Sequence, residues 1–169
     1  MKLSDFFLAQ LEREAPLSRK ALERAPEGRS DWKPHEKSMP FGYLSTLVAT
    51  MPSWIAMIID QDELDLAPPG GSGQRPQAPS NTRELLKAHE DAVAKGKASL
   101  RSTTDEYLMT SWRLLVGGQV VMENPRHVVL ADTFGHLAHH RGQLTVYLRL
   151  LGAPVPSIYG PSADDTSFG

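Results

Sequence analysis

The longest uninterrupted helical pattern in the sequence covers residues 126–151. An α-helix turns about 100° per residue, which places Leu137, Leu144 and Leu148 on one side of this segment. Gly152 follows directly, and glycine is typical of the position just past a helix end. A helix with one apolar face is stable only when other elements cover that face. The segment therefore predicts an all-α fold built around it.

Three earlier segments show apolar residues at the same helical spacing: residues 2–25, 38–60 and 82–102. Pro16 lies inside the first segment and is expected to bend or break it, because proline cannot donate a backbone hydrogen bond. Pro52 lies inside the second segment and predicts a kink there. Together with the last segment they predict a four-helix bundle.

The starts of two helices have recognisable capping residues. Ser38 is predicted to cap the second helix, with Pro40 in its first turn. Asn81 and Glu84 have the spacing of a capping pair at the start of the third helix. His89, further along that helix, is predicted to lie at the surface or its boundary and not to bind a metal.

Three other segments lack a helical pattern. Residues 107–123 predict a short β-hairpin between helices three and four, with a glycine pair at its turn. Residues 66–80 are rich in proline and glycine and predict a mobile loop, and residues 153–169 predict an extended tail. We interpret residues 1–169 as a single domain of this bundle type.

Composition narrows the classes of function. The formal net charge is −2, so the sequence offers no excess of cations for nucleic acid. Cysteine is absent, which excludes disulfides and thiolate metal ligands. We expect a cytoplasmic protein without a membrane segment, because the start lacks a signal-peptide pattern and the longest apolar run is short.

Three of the six histidines cluster within the last helix at His136, His139 and His140. His136 and His140 are four residues apart, so their rings share one face at the edge of the apolar side, with Tyr147 between them. His139 points to the far side. Such a pair can direct two imidazoles at one metal ion, or it can consist of ordinary hydrogen-bonded residues at the core boundary.

The neighbours of the histidine pair refine these alternatives. Asp132 lies one turn before His136 and could accept a hydrogen bond from its ring, as partners of metal-bound histidines do. Leu137 follows His136, so the His-Glu-x-x-His pattern of zinc proteases is not present. Arg141 falls on the apolar side, which indicates either a snorkelling side chain or a buried ion pair.

Four stretches are similar to a known family: residues 32–39 (WKPHEKSM), 51–54 (MPSW), 136–144 (HLAHHRGQL) and 154–162 (PVPSIYGPS). They resemble the DinB-like superfamily of damage-inducible, YfiT-like putative metal enzymes. The resemblance implies a four-helix bundle, often a homodimer. It also implies a zinc or nickel site with one histidine from the second helix and two from the fourth. Characterised relatives are metal-dependent thiol transferases and isomerases.

Carried over to this sequence, the two ligands of the fourth helix are His136 and His140. The third ligand is expected at position 47, where this sequence has Leu47. Leucine cannot coordinate a metal, so the resemblance implies an incomplete, two-histidine site. Tyr43, Thr50 and His35 are the nearby side chains with an atom that can act as another donor.

Two functions follow as hypotheses. The first is a metal-dependent thiol transferase or hydrolase in which His136 and His140 hold a zinc or nickel ion. The second is a metal-free module that binds a small molecule, or acts in a stress response, with Tyr147 lining the pocket beside the two histidines. The expected partner is a second copy of the chain, and neither nucleic acid nor a membrane is expected.

Overall fold

The computed structural model describes residues 1–68, 70 and 79–168. These residues form a mostly helical fold with a small three-stranded sheet. In chain order the elements are α1 (Leu3–Leu22), α2 (Phe41–Thr50), α3 (Ser53–Asp60), β1 (Glu63–Asp65), α4 (Thr82–Ser102), α5 (Asp105–Leu108), β2 (Ser111–Val116), β3 (Gln119–Pro125) and α6 (Arg126–Leu150).

Helix α1 runs through Pro16 without a break, so of the predicted bend or break the break is wrong. Proline removes one backbone donor, which costs the helix a hydrogen bond. Leu11 and Leu17 lie on either side of Pro16, and both are buried. Burial of these side chains stabilises the helix on both sides of the proline.

The second predicted helix is divided at Met51 and Pro52 into α2 and α3, which meet at 55°. The kink predicted at Pro52 is therefore present. Helix α2 begins at Phe41 with Pro40 at the N-cap position, so the prediction of Ser38 as the cap is wrong. The Ser38 N–H instead donates to the His35 carbonyl within a turn.

No single helix in the described part of the chain has the length and apolar character needed to cross a membrane. The bent pair of α2 and α3 meets that test only when the two helices are taken together, by length and composition alone.

Helix α4 has the predicted bounds and the predicted cap. The Asn81 side chain accepts from the Glu84 N–H at 2.9 Å, and the Glu84 carboxylate accepts from the Ser80 N–H at 2.9 Å. These bonds satisfy backbone donors that a helix start leaves unpaired.

The predicted hairpin is present as β2 and β3, but the sheet is larger than predicted. Gly117 and Gly118 form its turn with φ angles of 61° and 79°, a conformation that glycine adopts without strain. β1 pairs in parallel with β2. The Asp65 carboxylate fixes the end of β1 by accepting from the N–H groups of both turn glycines.

The buried apolar residues form two clusters that share α6. The first packs α1, α3, α5 and β2 against Val129, Leu130 and Phe134. The second packs α2 and the end of α1 against Leu137 and Leu144. The histidine segment therefore lies where the two clusters meet.

The tail contains no helix or strand among residues 152–168. Ile158 packs back on the second cluster. The Tyr159 hydroxyl donates to the Glu14 carboxylate at 2.8 Å, although the residue is largely exposed. Within the predicted mobile loop 66–80, residues 69 and 71–78 lie outside the described residues.

Candidate functional site

The rings of His136 and His140 converge. Their Nε2 atoms are 2.8 Å apart, and their ring centroids are 4.6 Å apart. His140 is buried, whereas His136 is exposed and meets the edge of the Trp54 ring, with centroids 5.5 Å apart. The helical spacing indicated this convergence, and His139 is exposed, as expected.

The chemistry of the pair follows from Gln143, which the sequence reasoning missed. The His140 Nδ1 atom is 2.8 Å from the Gln143 Oε1 atom. An amide oxygen only accepts, so the neutral form of His140 carries its proton on Nδ1 and presents a lone pair at Nε2. When both rings are neutral, the His136 Nε2–H donates to that lone pair, which leaves His136 Nδ1 as an acceptor. A helical offset of three residues was the signal that could have identified Gln143.

Asp132 does not have the role predicted for it. It makes no hydrogen bond with His136 and no ion pair with any residue that the structure describes. Partial burial, followed by the adjacent rings of His140 and His139, lowers the pKa of His136 below its ordinary value of 6.5. The neutral form of His136 is therefore favoured relative to a free imidazole.

The described residues include no group of three histidine, aspartate or glutamate side chains placed to hold a metal. Leu47 is half-buried and packs against the second core cluster. Two of the three alternative donors are already hydrogen-bonded: His35 Nδ1 accepts from the Lys37 N–H, and the Thr50 hydroxyl donates to the Thr46 carbonyl. The donor set therefore does not fit a resident zinc ion with three protein ligands.

A cleft of about 390 Å³ opens beside His136, between α3, the sheet and α6. Its walls are mostly apolar, and Asp132, Thr133 and His136 form a polar edge on α6. Thr133 is already committed, because its hydroxyl donates to the Val129 carbonyl at 2.8 Å. The apolar lining consists of Trp54, Met57, Ile58, Leu64, Leu66, Trp112, Leu114, Met122 and Val129.

Tyr147 does not line this cleft. It is buried in the second core cluster, where its hydroxyl donates to the Met39 carbonyl at 3.3 Å and its ring meets the edge of Trp32. The binding role predicted for Tyr147 stays a prediction, and the contacts observed here are structural.

His89 is 3% exposed, so its predicted surface position is wrong. Its Nε2 atom is 3.0 Å from the Ala15 carbonyl oxygen of α1, and its Nδ1 atom is 3.3 Å from the Ala49 carbonyl oxygen of α2. Burial lowers the pKa of His89, and it outweighs the opposite effect of the two carbonyls. Leu85, four residues earlier and also buried, was the signal for an inward position.

Arg141 forms a buried ion pair with Glu14, which is one of the two alternatives that the sequence indicated. The guanidinium also donates to the Ser18 hydroxyl at 3.0 Å and to the Tyr159 hydroxyl. A buried cation needs this number of partners because it has lost its hydration. The arrangement joins α1, α6 and the tail.

The protein is thus a mostly helical protein with a small sheet and a histidine pair on its last long helix. Residues 44–167 match the model of the DinB family, and the chain belongs to this family. The structure is similar to that of a DinB-like protein from Bacillus cereus ATCC 10987. The TM-score is 0.69 at 19% identity, over 90% of this chain and 95% of the other.

Two further relatives come from Bacillus subtilis. The DinB-like protein YjoA has a TM-score of 0.66 at 20% identity, over 86% of this chain and 92% of its own. The uncharacterized protein YrdA of strain 168 is 27% identical over 92 residues, which are 54% of this chain and 53% of YrdA. The chain thus spans about half the length of the curated relative that it matches.

Proposed function

We propose that this DinB-family protein binds a small molecule in the cleft beside His136 and does so without a resident metal. The observation that supports this proposal is the cleft itself, with a volume of about 390 Å³ and apolar walls that end in a polar edge. Ligand pockets in proteins have volumes of roughly 300–1,000 Å³ and the same distribution of apolar walls and few polar groups.

In this proposal the histidine pair is a hydrogen-bonded unit. His140 is fixed by Gln143, and it orients His136 at the polar edge of the cleft. The pair therefore supplies a positioned imidazole and not a metal centre. We further propose that α1, the α2–α3 pair, α4 and α6 are the four helices of the expected bundle. The homodimer, the cytoplasmic location and the stress response stay predictions from the family resemblance.

The binding proposal is tested with the neutral dye Nile red and two variants of one strand. Met122 lines the cleft, whereas Val121 is 58% exposed and does not belong to the cleft lining. Met122→Trp fills the cleft and is expected to abolish the rise in dye emission, while Val121→Trp leaves it unchanged. Circular dichroism verifies that both variants are folded. Equal emission from the two variants would refute binding in this cleft.

A second candidate function is metal-dependent transfer or hydrolysis, and one observation favours it. The Gln143 side chain holds His140 in the tautomer that a metal ligand needs, as outer partners of metal-bound histidines do. The two imidazoles would then be the protein ligands of a divalent ion, zinc or nickel. The missing third ligand makes this the weaker proposal.

A further inference from the structure

We propose that the ligand of the cleft is a cationic amine with an apolar body, whose ammonium group binds at Asp132 and His136. This inference rests on the proposed function, because it names the class of molecule that the same cleft takes. It depends on the character of the polar edge, which offers acceptors and a negative charge and no cation.

Asp132 is the only charged residue among the described residues that line the cleft. Its carboxylate has no ion-pair or hydrogen-bond partner in the described part of the chain. An ionised carboxylate only accepts hydrogen bonds, so it selects a donor and favours a positive one. An anionic ligand would meet repulsion at this position.

His136 lies four residues after Asp132 on α6, and helical residues at this spacing are neighbours on one face. When both rings are neutral, His140 donates to Gln143 and accepts from His136 Nε2–H, so the His136 Nδ1 atom is left as an acceptor. The polar edge therefore presents two acceptors side by side. An ammonium group has three donors and no acceptor, and it matches both.

The walls of the cleft fit the rest of such a ligand. Trp54 and Trp112 contribute aromatic rings, which attract cations as well as apolar groups. The Trp112 Nε1–H is a buried donor without a partner among the described residues, but it is closed to solvent. It therefore does not recruit an anionic ligand into the open cleft.

The test compares three probes of the same shape: phenylpropylamine, phenylpropanol and phenylpropanoate. Each displaces Nile red from the protein in the presence of a chelator, which removes any contribution of metal. We expect the amine to bind about fivefold more tightly than the alcohol, the gain typical of a partly exposed ion pair. The acid is expected to bind least.

Two variants link this preference to Asp132. Asp132→Asn is expected to bring the amine to the affinity of the alcohol and to leave the alcohol unchanged. Asp5→Asn removes the same charge from the exposed start of α1 and is expected to keep the preference. If the alcohol displaces the dye as well as the amine does, the proposal of an amine ligand is overturned, whereas the proposal that the cleft binds a small molecule still holds. A preference that survives Asp132→Asn would also overturn the proposal of an amine ligand.

Discussion

At the scale of single residues, Leu47 separates the two candidate functions. Its position on α2 corresponds to the third histidine that the family resemblance implies, and its side chain has no donor atom. Two imidazoles bind zinc less tightly than three, because structural and catalytic zinc sites use at least three protein ligands. The chemistry of the site therefore depends on one position outside the histidine cluster.

Leu47→His is expected to raise the affinity for zinc by at least about tenfold, since it supplies a third imidazole. The measurement is a competition titration against a chromogenic chelator, with protein purified without a histidine tag. Thr46→His is the control, because its side chain is rotated by about 100° around α2. The unsubstituted chain is expected to contain little zinc, and His136→Ala is expected not to change that amount. An unchanged affinity in Leu47→His would show that position 47 does not face the pair.

The sequence was sufficient to predict that His136 and His140 converge, because helical spacing alone fixes their common face. The sequence was not sufficient to predict the burial of His89, because α1 and α2, which supply the two carbonyl groups that its ring faces, are distant in sequence. For Asp132, spacing in the sequence predicted a contact that the structure does not contain. Its spacing from His136 suggested a hydrogen bond, whereas the structure directs it to the edge of the cleft.

At the scale of elements, Gly96 determines how closely α4 approaches the kink between α2 and α3. A Cβ atom at position 96 would lie 2.8 Å from the Pro52 carbonyl oxygen and 3.2 Å from Leu11. A backbone oxygen cannot rotate away, so a larger residue must displace the helix or the kink. The glycine thus has a packing function despite its low helix propensity.

Gly96→Ala is expected to destabilise the fold by about 1–3 kcal/mol, the usual cost of an added methyl group in a packed core. Gly135→Ala is the matched control, because nothing lies within 4 Å of a Cβ atom there. In that variant alanine is expected to stabilise α6 by about 0.5–1 kcal/mol. Urea unfolding of both variants measures the difference. Equal effects in the two variants would contradict the close approach at the kink.

The long helices were predictable because their apolar spacing extends over several turns, and the hairpin because its glycine pair is specific. β1 and α5 have three and four residues, too few for a periodic pattern to emerge. The cleft was unpredictable for the same reason, since β1 forms part of its wall with Leu64. Its existence depends on elements that only the packed chain defines.

At the scale of the whole molecule, stability is coupled to pH through the buried His89. Burial lowers its pKa below the ordinary value of 6.5, so the folded state binds this proton less readily than the unfolded state. Stability is therefore greatest above about pH 6.5 and falls as the pH decreases toward the folded pKa. Asp65, Glu84 and Asp164 also have lowered pKa values, and their contribution is lost only in more acidic solution, around and below about pH 4.

His89→Gln separates these two ranges. Glutamine does not titrate, and its amide can still donate to one of the two carbonyls that His89 faces. The free energy of unfolding is therefore expected to depend less on pH between about pH 7.5 and about pH 5. Denaturant unfolding across that range is the measurement. His35→Gln is the control, because His35 is an exposed histidine between α1 and α2. Because His136 also has a lowered pKa, a small slope is expected to persist in His89→Gln. If the slope of His89→Gln equals that of the unsubstituted chain, the acid sensitivity of the fold originates elsewhere, and His89 is protonated as easily in its buried position as in the unfolded chain.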